Sequence, residues 1–578
     1  MSHSLRITRR EFLETTGALL IAVSLPRVSG AQSLPRSVRS NRDLDTWLRI
    51  EAEGTVTVFS GKCELGQGIK TALAQVVADE LDVDIARLRM ATVDTARSPD
   101  EGRTVGSNSV PDSGSALRVA AAQARKILLD NAAARLSVPA SELTVADGVV
   151  SGGSRSVSYW ELLSERGFDA EIDGSGAPKA HSGYRYVGRP QERVDLPAKF
   201  HGEPAFIHDL RLPNMAHARV VRGPMAVSEI VAVDDRGVRE MPGVVEVVRD
   251  GNFLAVVADR EEQAVAAAGV LRKATRWRAP KAYPAGEALP ALLRGLRTED
   301  SVIAETPPAD TEVVRELTAA YSRPFIAHAS LGPSCGVAEW DGTTMTVYSH
   351  AQGMYPLREA IATVLDLPAE RVRCVHADGA GCYGHNGADD VACDAALIAR
   401  AVPSRPIRLM WSREDEFAYE PYGSAMSLQA AAGLDASGRI VRWRYDIWSC
   451  SHSTRPAGGE DAGGILAARE KARPLRLPPV SDGGQPTGGA DRNGIPLYRF
   501  ADQRVVEHIV LDPPLRNSAL RSLGAYGNVF AIESFIDEIA RELGADPYEY
   551  RMQHLDDERA RAVIERVRDM AAGAPRLT

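Results

Sequence analysis

Three short segments of this chain combine small residues, amides and hydroxyls in a way that suits an oxygen-rich ligand. The first is Ser60-Gly61-Lys62-Cys63-Glu64-Leu65-Gly66-Gln67-Gly68, which follows a strand-like run at 55–59 and opens a helical pattern at Ile69. Glycine lets a backbone pass close to a ligand, and a helix start offers free N–H groups to an anion. Gln67 and Gly68 stand at that start, and the Gln67 amide both donates and accepts. The turn reads either as a cradle for a phosphorylated or oxo-bearing group or as an ordinary strand-to-helix turn. The second segment, 100–109, places Thr104, Gly106, Ser107 and Ser109 ahead of a long helical pattern, where N–H and O–H donors can face a cofactor. Alone it is a weak signal, because Ser/Gly loops are usually only loops.

The third segment, Asp378-Gly379-Ala380-Gly381-Cys382-Tyr383-Gly384-His385-Asn386-Gly387, follows a strand pattern at 372–377. Gly379 to Gly384 fits Gly-x-Gly-x-x-Gly, but the helical pattern begins about five residues late and no acidic residue sits about 20 positions on, so a dinucleotide fold is disfavoured. His328, His376, His385 and Cys382 match no common zinc spacing. Gln352 at a strand end and Arg521 before a turn read as structural residues unless the cradles meet beside them.

Composition narrows the classes. The 578 residues carry a net charge of −9, with 44% hydrophobic and 25% charged residues, as in ordinary globular protein. The acidic balance and lack of a basic patch argue against nucleic acid as a partner. None of the six cysteines, Cys63, Cys335, Cys374, Cys382, Cys393 and Cys450, forms Cys-x-x-Cys, so no iron–sulfur or zinc ligand set is evident.

The elements that must position the three segments alternate between strand and helix patterns. A helix is expected at 113–136, capped by Ser113. Strands at 216–221, 244–249 and 253–258 precede a helix at 261–271. Residues 280–308 read as a surface crossing, and 454–495 as a long functional or mobile loop. Strands at 336–340, 344–349, 372–377 and 407–411 alternate with helices at 356–365 and 389–401, which suggests layered α/β or α+β structure. A last helix at 530–543 stops at Gly544 and Pro547.

Thr8-Arg9-Arg10-Glu11-Phe12-Leu13 is a twin-arginine pattern, followed by an apolar run too short to span a bilayer and a small-residue cleavage site near Ala31. Export of a folded, cofactor-loaded protein to the periplasm is the expectation; no segment of the mature chain is expected to cross a membrane.

Taken together, 61–68, 100–109, Val187-Gly188-Arg189-Pro190 with 202–213, 379–384 and 521–547 make the chain resemble the molybdenum-binding large subunit of the xanthine dehydrogenase/aldehyde oxidase family, nearest the isoquinoline 1-oxidoreductase and nicotinate dehydrogenase type. The resemblance covers essentially the whole chain. It implies an α+β fold in which an α/β hammerhead domain (186–280) sits between mixed α/β molybdopterin-binding domains (42–165 and 311–578), after a signal peptide (1–31). It implies a molybdenum–molybdopterin cytosine dinucleotide, [2Fe-2S] clusters on a separate small iron–sulfur subunit, and a c-type cytochrome acceptor. In the resemblance Gln67 with Gly68 falls near the metal's oxo group; Thr104, Gly106, Ser107 and Ser109 lie along the pterin. Gly381, Cys382, Tyr383 and Gly384 lie by the dithiolene, with Tyr383 where the family has Phe, and Gln352 and Arg521 line the metal pocket. The implied reaction is oxidative hydroxylation of an N-heteroaromatic compound or an aldehyde with water as oxygen source. The family's catalytic glutamate lies in a Gly-x-Gly-Glu segment that the last third of this sequence does not contain, so the catalytic base is unassigned. The expectation is that a second chain supplies that segment, the alternative a truncated, non-catalytic or partner-binding remnant. A dinucleotide-dependent dehydrogenase ranks third.

Overall fold

The computed structural model describes residues 34–163, 167–280, 288–308, 310–484 and 488–572; the expected signal segment lies outside them. Residues 42–163 form one layer built on two helices. In Ile69–Leu81 the residues Ile69, Leu73, Val77 and Leu81 recur four apart and bury one face. It packs on Ser115–Leu136, where Ala116, Ala120 and Ala124 permit close approach and Leu117 and Leu128 fill the core with Trp47, Val56 and Val58. Ser113 does not cap this helix. It lies in a π-helical turn, Val110–Gly114, and its Oγ sits 2.9 Å from Ser60 Oγ and donates to Glu101 at 2.8 Å.

A seven-stranded mixed sheet runs in the order Val372–His376, Met345–Ser349, Cys335–Trp340, Ile407–Met410, Ala216–Val220, Phe253–Ala258, Val244–Asp250. Strands from the second and third sequence units thus share one sheet, joined where Ile407 pairs in parallel with Ala216. Helices Glu261–Ala274, Met354–Val364 and Ala388–Ala401 cover it, and the strand Phe253–Ala258 is a continuous apolar run buried throughout.

A five-stranded sheet follows: Thr298–Glu305, Asp502–Val510, Ile440–Ser449, Met426–Leu434, Arg315–Arg323. Helix Ala525–Glu542 packs on it through Ile532, Phe535, Ile536 and Ile539 against Trp443 and Tyr445.

Three expectations are corrected here. The described residues 288–308 are not a plain crossing: they hold helix Leu289–Gly295 and the edge strand Thr298–Glu305, whose charged, mostly exposed side chains lack alternation because an edge strand needs little of it. Within 454–495 the segment 462–467 is anchored, since Ala462, Ile465, Leu466 and Ala467 are fully buried in the main core. The helix ending near Gly544 is not the last. Pro547 stops it and also opens Pro547–Met552, with Asp546 capping Tyr548 N and Glu549 N, and Glu558–Ala571 follows.

Candidate functional site

The first glycine turn is closed by its own carboxylate. Glu64, whose side chain is fully buried, accepts from Gly66 N and Gly68 N at 2.9 Å each and from Lys70 N at 3.1 Å, with Arg193 alongside at 3.3 Å. The start of helix Ile69–Leu81 therefore offers no free N–H cluster to a ligand there; Glu64 fills the anion position, as the helix dipole favours. The Gln67 amide is committed as well: Nε2 donates to Cys63 O at 3.0 Å and Oε1 accepts from Leu65 N at 2.6 Å. What remains open is backbone surface, for a Cβ built on Gly66 (φ +100°) meets nothing within 4 Å.

From this turn a continuous chain of contacts crosses to the other segments. Cys63 N donates to Thr104 Oγ1 at 2.8 Å. Thr104 N donates to Gln352 O at 2.7 Å, and Gln352 Nε2 returns to Thr104 O at 3.1 Å. Arg455 then donates to Gln352 Oε1 at 2.8 Å. These bonds fix which end of the Gln352 amide is oxygen and which is nitrogen. Gly106 and Ser107, both at positive φ, are exposed, and Ser109 is half-buried.

The third segment joins from the sheet side. Gly384 (φ +136°) passes so close to residues 519–520 that an added Cβ would lie 2.0 Å from Ala519 O, and His385 N donates to that same oxygen at 2.8 Å. Arg521 N donates to Tyr383 O at 2.5 Å. Arg521 leads into Ser522 and Leu523, both in the left-handed region, a strain that side-chain-bearing residues keep only where the surroundings enforce it. Tyr383 is half-exposed and its hydroxyl folds back over Gly381, which also has a positive φ. The Cys382 thiol donates to Gly384 O at 3.5 Å. Lys70 Nζ lies 3.8 Å from Asp378 Oδ1, which ties the third segment to the helix that follows the first turn. Gln67, Thr104, Gln352, Cys382, Tyr383 and Arg521 thus belong to one contiguous region.

Its electrostatics are uneven. Burial holds His328 down at about 4 and His385 well below the usual range, so both rings are neutral at pH 7. Burial likewise pushes the Cys63 thiol up to about 12 and raises that of Cys382. Burial lifts Asp389 to about 6 against the pull of Arg455, and desolvation lowers Arg455 to about 10. Among the described residues no group of three or more His, Cys, Asp or Glu is arranged to hold a metal ion, and no helix is long and apolar enough to cross a membrane.

Sequence reasoning missed Glu64, Arg103, Asp389 and Arg455. Glu64 had a local signal, an acid two residues before a Gly-x-Gly helix start. Arg455 had none, because its partner Gln352 lies 103 residues earlier.

Comparison with known proteins identifies the two regions that the Thr104–Gln352 contact joins. Residues 25–221 and 304–458 each match a molybdopterin cofactor-binding domain. The whole chain is 35% identical over 589 residues to a subunit of nicotinate dehydrogenase from Pseudomonas putida, covering 48% of that protein. It is 28% identical over 637 residues to the beta subunit of isoquinoline 1-oxidoreductase from Brevundimonas diminuta, covering 98% of this chain and 78% of the other. The chain therefore spans about half the length of the Pseudomonas protein. Among solved structures, the aldehyde oxidoreductase from Desulfovibrio gigas superposes with a TM-score of 0.54 at 16% identity, over 95% of this chain and 65% of that one. Quinoline 2-oxidoreductase from Pseudomonas putida 86 gives 0.51 at 17% identity, over 67% and 54%.

Proposed function

This chain belongs to the molybdenum-binding large subunits of the xanthine dehydrogenase/aldehyde oxidase family, and from that premise we propose that it works as the large subunit of a molybdenum hydroxylase. Its substrate is an N-heteroaromatic compound or an aldehyde, and water is the source of the oxygen inserted. The cofactor is the cytosine dinucleotide form of molybdopterin. Electrons leave through a small iron–sulfur subunit and reach a c-type cytochrome. The complex works in the periplasm after twin-arginine export, and residues 186–280 act as its hammerhead domain.

The observation that carries this reading is the reciprocal pair between Thr104 and Gln352, which joins the two regions that match molybdopterin-binding domains. The residues around it fit a flat, oxygen-rich group. The backbones of Gly66 and Gly102 lie open, with nothing within 4 Å of an added Cβ, and Gln352 presents its amide in one fixed sense. When bound, the molybdenum–pterin group supplies the two-electron redox chemistry of the hydroxylation. The chain's own residues bind and orient. Thr104, Gly106, Ser107 and Ser109, together with Gly381 to Gly384, are the residues that would hold the group. Gln352 supplies an amide donor, and Arg521 an exposed guanidinium side chain. The neutral His328 and His385 keep the interior free of fixed cationic rings.

Purified with its companions from the native host, the protein should release CMP on acid hydrolysis of its cofactor, and product formed in H2¹⁸O should carry the label. Absence of pterin, or product oxygen drawn from O2, would overturn the proposal.

A further inference from the structure

Two arginines converge on the Gln352 segment with no carboxylate in direct ion-pair contact among the described residues. Arg455 donates to Gln352 Oε1 at 2.8 Å, and Arg103 donates to Pro456 O at 2.7 Å. Each contact uses one of five N–H donors, and both acceptors are neutral. Among the described residues neither side chain makes an ion pair. The groups that face them are few. Asp389 acts on both and Asp461 on Arg103, while Arg103 raises the cost of charging Arg455. Asp389 leans the other way, its Oδ2 3.5 Å from His385 Nε2. His328 and His385, which adjoin Arg455, are neutral. Two partly buried, mutually repelling guanidiniums with spare forked donors form an electrostatically incomplete site, which an anion completes. Gly353 packs directly on Arg103: a Cβ there would lie 2.9 Å from Arg103 Cγ. That contact seats Arg103 against the Gln352 segment rather than in solvent.

We propose that Arg103 and Arg455 form an oxyanion subsite beside Gln352, taking a carboxylate or phosphate group between their guanidinium forks. The proposal rests on the molybdenum-hydroxylase reading and deepens it. If the anion belongs to the substrate, the enzyme selects a carboxylated heteroaromatic; if it belongs to the cofactor, the pair is an anchor for its phosphate.

The test uses the holoenzyme and the variants R103M, R455M and R455K, with circular dichroism confirming the fold. Molybdenum and released nucleotide are measured for each, and pyridine-3-carboxylate, pyridine-3-carboxamide and inorganic phosphate are titrated calorimetrically. A substrate-carboxylate role predicts wild-type cofactor content, with carboxylate affinity falling about 10- to 100-fold in R103M and R455M, as expected for loss of a hydrogen bond to a charged group. The carboxamide would be unaffected, and R455K would recover part of the loss. A cofactor-phosphate role predicts parallel loss of molybdenum and nucleotide in the methionine variants. Both outcomes support the subsite. It is overturned if the variants keep wild-type cofactor content and neither anion binds the wild type more tightly than the variants. A wild type free of molybdenum would instead sink the underlying hydroxylase reading.

Discussion

Thr104 and Gln352, 248 residues apart, hold each other twice: Thr104 N donates to Gln352 O at 2.7 Å, and Gln352 Nε2 donates to Thr104 O at 3.1 Å. The pair joins the first helical layer to the seven-stranded sheet, alongside His376 N donating to Val93 O at 2.8 Å and the Arg373–Asp94 ion pair.

Replacing Gln352 by Ala removes the side-chain half of this pair and the acceptor for Arg455. A loss of about 1–3 kcal/mol is expected, with cofactor content falling severalfold. Thermal melting and elemental analysis of the purified protein check both. Wild-type molybdenum content in Q352A would show that the amide does not shape the site.

Glu64→Ala should be more damaging to the fold than to the pocket. It leaves Gly66 N, Gly68 N and Lys70 N without their acceptor and strips Arg193 of one partner. About 3 kcal/mol of destabilisation is expected for an uncompensated buried network of this kind, read as a lower melting temperature than that of Glu64→Gln.

Glycine substitutions should split by position. Gly384→Ala forces a Cβ to 2.0 Å from Ala519 O and should cost about 4 kcal/mol or more, or displace the 519–523 turn. Gly66→Ala meets open space and carries only the strain of its positive φ, about 1 kcal/mol. Equal melting temperatures for the two variants would contradict the close approach at Gly384.

A pH dependence follows from the buried pair Glu416 and Glu420. Burial, and then the adjacent Glu416, push the Glu420 carboxyl up to about 8, against about 4.3 in an unfolded chain. Below that lower value both states hold the proton. Between the two values the folded protein keeps a proton that the unfolded chain releases, so stability falls as pH rises through this window. Above it the slope vanishes. Denaturation midpoints measured from pH 5 to pH 8 should decline in the wild type and stay flatter in Glu420→Gln.

Much of the site was legible because its demands are local. Gly384 announced a backbone that must pass close to something, and the structure shows Ala519 to be that neighbour, while Gly381 faces the Tyr383 hydroxyl. The burial pattern of Ala388–Ala401 and Phe253–Ala258 left little doubt about helix and strand. The Glu64 cap was hidden because an acid in a turn is equally at home in water; only the folded turn aims three N–H groups at it. Arg455 was hidden because its meaning depends on Gln352 in another element. The edge strand Thr298–Glu305 was hidden because its exposed side chains carry no alternation.

The most direct test is the molybdenum content of the protein purified from its native host, with Gly384→Ala prepared alongside. The account predicts near-stoichiometric molybdenum with pterin in the wild type, and a marked loss in the variant. A wild-type protein without molybdenum, or a Gly384→Ala variant that binds it undiminished, would contradict the claim that these converging segments form the cofactor site.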